Sequence, residues 1–154
     1  AAKGDMAPSR PSASFIDGIA EAAKAAQESV VLAKKIGNTS LAGAALCVVA
    51  QVQMANLQLE AATRATDEAM AIFRELADER NIASVMVIQA DIHLVGGNTS
   101  KALNLIGKAI KIFQAQGDKR GEWVAMGVKE HIQGPEEEAQ PLADQWSEAE
   151  WQMW

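Results

Sequence analysis

Apolar residues in this chain recur at intervals of three and four and do not alternate with polar ones over any long stretch. Phe15, Ile19, Ala22, Ala23, Ala26, Val30 and Ala33 form one such series, which predicts an amphipathic helix. Ser14 precedes it, and Asp17 three residues on completes a capping-box pattern. Gly37, with no Cβ to oppose a left-handed turn, predicts its end. Thr39 or Ser40 opens a second helix over roughly 40–56, with Leu46, Val49, Ala50 and Met54 along one face. A turn near Asn56-Leu57-Gln58 leads to a third helix that runs to about Ala77. A fourth covers roughly 80–95 and stops at Gly96-Gly97. Thr99 or Ser100 opens the fifth, which ends at Gly117. A sixth, over roughly 121–132, is closed by Gly134-Pro135. Residues 1–13 contain Pro8, Ser9, Pro11 and Ser12 with little to bury, and read as an extended leader. A last helix fits the pattern from about Pro141 to Trp154.

The helices repeat. Ala69-Met70-Ala71-Ile72-Phe73-Arg74-Glu75-Leu76-Ala77-Asp78 returns 40 residues later as Ala109-Ile110-Lys111-Ile112-Phe113-Gln114-Ala115-Gln116-Gly117-Asp118. A fainter copy, Ser29-Val30-Val31-Leu32-Ala33-Lys34-Lys35-Ile36-Gly37-Asn38, stands 40 residues earlier. A fixed period without insertions is the mark of a repeat array. Ala22, Ala62 and Ala102 correspond, as do Ser29, Ala69 and Ala109, and Val30, Met70 and Ile110. Small residues at fixed places let helix backbones approach, and large ones beside them fill the layers between. One helical hairpin cannot bury such a face alone, whereas stacked neighbours can.

Composition and charge narrow the function. Alanine is abundant and tyrosine absent, which favours helix. The mainly apolar run 41–54 is interrupted by Gln51 and Gln53 and is too short to span a bilayer. No apolar signal segment opens the chain, so secretion is not indicated; a processed organellar form or a cytoplasmic protein both fit. The net charge of −6 comes from the last twenty residues, which hold Glu136, Glu137, Glu138, Asp144, Glu148 and Glu150 and no Lys or Arg. Without those six, the 20 acidic residues fall to 14 and balance the 14 basic ones. Lys34-Lys35 and Lys119-Arg120 are isolated pairs, so nucleic acid is not an expected ligand. Cys47 is the only cysteine and sits in an apolar stretch, as a small buried hydrophobe would. His93 and His131 have no Cys or second His at ligand spacing, and Gly96-Gly97 leads into no Gly-Lys-Ser/Thr loop. No metal, cofactor or catalytic chemistry is expected. Gly-Asn-Thr-Ser occurs at 37–40 and again at 97–100. Both copies match a glycosylation pattern, yet a glycine stop followed by a hydroxyl cap explains them more simply.

The repeated phrase, with Ala-Ile-Phe-Arg-Glu-Leu-Ala-Asp-Glu-Arg at 71–80 by way of its echo at 109–122, resembles the tetratricopeptide repeat in a 40-residue form. The resemblance covers roughly 14–132. It implies an all-α, right-handed solenoid of helical hairpins, about three repeats and six to seven helices. In that family a small residue of the first helix packs on an alanine pair of the second. Ala50 with Ala62 and Ala69 fills those places in one hairpin, and Ala90 with Ala102 and Ala109 in the next. Leu46, Val49 and Met86 match the large residues expected before the small one. Residues 14–36 would be a second helix lacking its first. Gln53 and His93 stand where an aromatic is usual, and Glu130 where a small residue is expected.

The same resemblance places a partner groove on the first helices: Cys47, Val48, Gln51 and Met54, then Val87, Ile88, Asp91 and Leu94, then Val124, Val128 and His131. Val48 and Ile88 would serve equally well as packing residues. Lys, Arg and Asn are absent from these positions, so the gripping of a C-terminal carboxylate known in part of the family is not expected. A mildly apolar groove suits an amphipathic helix or an extended apolar segment. The tail, 135–154, brings Leu142, Trp146, Trp151, Met153 and Trp154. Leu142, Trp146, Ala149 and Met153 would share one helical face, with Trp151 and Trp154 elsewhere. Such a tail caps the array or anchors it to a partner. The expected function is a non-catalytic protein–protein interaction module, a scaffold or adaptor binding a peptide or helix. The alternative is a permanent accessory subunit of a large assembly, such as a photosynthetic or respiratory membrane complex, in peripheral contact with it.

Overall fold

A computed structural model describes residues 13–134; the leader 1–12 and the tail 135–154, including the expected seventh helix, lie outside the described residues. Six helices follow one another: α1 (Ala13–Lys35), α2 (Thr39–Ala55), α3 (Leu59–Glu75), α4 (Glu79–Val95), α5 (Thr99–Gln116) and α6 (Lys119–Gln133). Among the described residues there is no strand. The chain is an all-α array of helical hairpins, about three repeats long. α2 pairs with α3 and α4 with α5; α1 stacks before the first hairpin and α6 after the second. α2 also touches α4, so successive first helices line one side of the array.

The turns show a period of 20 that the amino acids themselves do not display. Gly37, Leu57, Ala77, Gly97 and Gly117 all have φ between 52° and 81°. At each, two backbone hydrogen bonds close the preceding helix in the Schellman pattern. Gly37 N–H donates to Lys34 C=O at 3.1 Å and Asn38 N–H to Ala33 C=O at 3.0 Å. The same pair recurs around Leu57, Ala77, Gly97 and Gly117. The next residue therefore both seals one helix and caps the following one. Asn38, Asp78, Asn98 and Asp118 accept from the backbone N–H of Leu41, Asn81, Lys101 and Gly121.

This corrects three expected caps. Thr39, Ser40, Thr99 and Ser100 lie inside their helices, because the left-handed residue delivers the Asn directly after it to the capping position. Ser14 likewise falls within α1, which begins at Ala13. Gln58 makes no side-chain cap. Leu57 and Ala77 adopt a conformation that costs an L-residue about 1–2 kcal/mol, and Leu57 is 74% exposed, so it gains little from packing. Leu57→Gly is expected to raise stability by about 0.5–1 kcal/mol, after allowing for the greater freedom of glycine in the unfolded chain. A urea midpoint unchanged or lowered by that substitution would contradict the turn geometry.

The core follows the repeat. Ala50, Ala62 and Ala69 are fully buried in the first hairpin, and Ala90, Ala102 and Ala109 in the second. Leu46, Val49, Met70 and Phe73 fill the layer beside the first set. In α1, Val30 and Ala33 are buried, whereas Ala22 and Ser29 are exposed. They occupy the register of Ala62 and Ala69, which pack on the first helix of their own hairpin. Among the described residues α1 has no such helix.

Candidate functional site

α2, α4 and α6, the first helices of successive hairpins, come together round one side of the array. Their first turns approach each other where Asp118, the cap of α6, receives Arg80 Nε at 2.5 Å from the start of α4. The carboxylate of Asp118 is held below its usual range, first by the backbone hydrogen bond from Gly121 and then by Arg80. Gly121 can lie over the Phe113 ring only because it has no side chain; a Cβ there would overlap the ring. Beyond these contacts two adjoining hollows lie between α4 and α6.

The first hollow, of about 470 Å³, lies between Gln51 of α2, Ser84, Val87 and Ile88 of α4, and Arg120 and Val124 of α6. The second, of about 310 Å³, lies between Asp91 and Leu94 of α4 and Trp123, Val124, Val128 and His131 of α6. Val124 borders both. The structure thus brings together Gln51, Val87, Ile88, Asp91, Leu94, Val124, Val128 and His131. Ile88 shows only an edge: it is 8% exposed and belongs to the core shared by α1 to α4. Cys47 and Met54 are partly buried against that same core and line neither hollow. Burial pushes the Cys47 thiol up to about 11, which keeps it protonated at neutral pH. Val48 is half exposed and also lies outside both hollows. Leu142, Trp146, Trp151, Met153 and Trp154 lie outside the described residues.

Residue-type reasoning missed the polar end. Arg80, Asn81 and Arg120 reach the first hollow from the first turns of α4 and α6, so Arg and Asn are present where they were not expected. Arg80 is engaged by Asp118, and Asn81 Nδ2 donates to Asp78 at 2.7 Å. Arg120 makes no ion pair among the described residues. Arg80 and Arg120 are 40 residues apart, so the repeat register carried the signal. Burial raises the carboxyl pKa of Asp91, which makes its charge costly there and favours a donor or cation beside it.

Among the described residues no group of three or more His, Cys, Asp or Glu could hold a metal ion. No helix among them is long and apolar enough to cross a membrane. His93 faces a separate hollow with Lys101, Asn104 and Leu105, away from His131. Against known proteins, the chain matches no family model and no curated sequence.

Proposed function

We propose that this chain is a non-catalytic interaction module of tetratricopeptide type that holds a peptide or helix in the trough between α4 and α6. The adjoining hollows that share Val124 carry the reading. Val87, Leu94, Val124 and Val128 offer an apolar floor, with Gln51, Asp91 and Arg120 as polar points along it. An amphipathic segment answers that pattern, with an N–H donor or cation beside Asp91 and an acceptor or carboxylate near Arg120. Selecting peptides on the intact chain from a random display library provides the test. Enriched peptides should be mainly apolar with both charges, and should lose about tenfold or more in affinity, roughly 1.4 kcal/mol, on Val124→Lys. Peptides that bind equally well to that variant, or no enrichment at all, would sink the groove reading.

One observation favours the second reading, a permanent subunit of a larger assembly. At the end of α1 and in the turn after it, Val31, Leu32 and Ile36 are exposed to between 59% and 69%, apolar area that a partner would cover.

A further inference from the structure

We propose, resting on the groove reading, that the second hollow between α4 and α6 receives one arginine side chain of the bound segment, forked on the Asp91 carboxylate and stacked on the Trp123 ring. Among the described residues Asp91 makes no hydrogen bond and no ion pair. His131 borders the same hollow without pairing with it, and no Lys or Arg among the described residues lines that hollow. Asp91 is nevertheless half-buried, and its carboxyl is held above the usual range for that reason. A carboxylate so placed is stabilised when a ligand brings a cation to it. Trp123, on the facing helix, is 76% exposed. An indole face is the best of the aromatic surfaces for a cation, so both partners that a cation needs border one hollow.

The repeat register shows how α6 differs from the helix before it. Trp123, Gly127 and Val128 stand where α4 has Ala83, Val87 and Ile88. Ala83 is fully buried and Val87 packs against the core, whereas a Cβ at Gly127 would meet nothing within 4 Å. Gly127 therefore leaves room beside the Trp123 ring, which borders the same hollow. The hollow, at about 310 Å³, lies near the lower limit of sites that enclose a small molecule, roughly 300–1,000 Å³. It suits one long side chain, with Leu94, Val124 and Val128 along an aliphatic stem. Arginine answers these features better than lysine. Its guanidinium is more weakly hydrated, so partial burial costs less, and its plane stacks on an indole. Its fork also takes both carboxylate oxygens, and in Asp91 neither is engaged within the described residues.

The first test titrates N-acetylargininamide into the full chain at millimolar concentrations and follows it by NMR. Shifts should gather at the Asp91 and Gly127 amides and the Trp123 indole N–H, and the lysine analogue should need about tenfold more to produce them. Asp91→Asn removes the charge and keeps the shape, and Gly127→Val gives α6 the side chain that α4 carries. Each should abolish the shifts while the thermal transition stays in place. No shift at these groups, equal shifts from the lysine analogue, or an unchanged titration of Asp91→Asn would overturn the proposal. The second test uses peptides selected on the full chain. Those that depend on Val124 should share one arginine, whose replacement by lysine costs about tenfold in affinity on the unaltered chain and nothing on Asp91→Asn. Val124-dependent peptides without a shared arginine would sink the arginine pocket and leave the groove standing. Argininamide shifts at Asp91 and Trp123, with no Val124-dependent peptide, would keep the pocket and remove the groove.

Discussion

Ala90→Arg is expected to abolish the cooperative unfolding transition of the second hairpin. Ala90 is fully buried against Ala102 and Ile106, which are themselves fully buried. Among the described residues Thr66 is the one buried polar side chain, so no buried carboxylate is at hand. A guanidinium there loses its water with no partner, at an effective cost of several kcal/mol. Forcing its volume between two close helices adds about 1–3 kcal/mol. A small domain has only about 5–15 kcal/mol of stability in all, and in an array each hairpin depends on its neighbours. Ala50→Arg should do the same in the first hairpin. Ala71→Arg, on the exposed side of α3, should leave the thermal transition where it was. Circular dichroism melts distinguish these outcomes. If both buried variants melted as the unaltered chain does, the close approach of helices through alanine would be wrong.

Phe73→Ala should cost about 3–5 kcal/mol, the range for emptying a buried aromatic site. Phe73 is 1% exposed and its ring fills the space over Gly43, where a Cβ would come within 2.7 Å of it. The pair yields a sharper result than either residue alone. Helix propensity by itself says that Gly43→Ala stabilises α2 by about 1 kcal/mol. The ring opposes that, and overpacking of about 1–3 kcal/mol makes the substitution destabilising. In the Phe73→Ala background the ring is gone and only the Ile72 Cγ2 methyl, at 3.1 Å, must shift into the space vacated, so Gly43→Ala should change sign and stabilise. A urea double-mutant cycle measures this. Additivity within about 0.3–0.5 kcal/mol would show that the two residues do not meet.

Much of the fold was legible because its signals are local. Gly37, Gly97 and Gly117 mark helix ends by their own chemistry, and the alanines of α3 and α5 repeat at a spacing that only stacking explains. The left-handed turns at Leu57 and Ala77 were not legible as such. Neither residue favours that conformation, and each holds it because the helices on either side are packed. The caps were misassigned for a related reason: Thr and Ser are good caps, but the turn decides which side chain stands at the helix end.

The site divides in the same way. The side of α4 and α6 that carries Asp91, Leu94, Val124 and Val128 was the one implied by the resemblance to the tetratricopeptide repeat. That Cys47 and Met54 turn into the core, and that Arg80 and Arg120 enter the hollow, depended on how far the helices stand apart. By itself, the sequence determined the all-helical character, the 40-residue repeat and the alanine layers, since these rest on spacing along one chain. Tertiary structure alone decided which apolar faces were covered, which residue capped each helix, and which polar groups met across the trough. Those outcomes depend on distances between segments up to about forty residues apart, which packing sets and local preference does not.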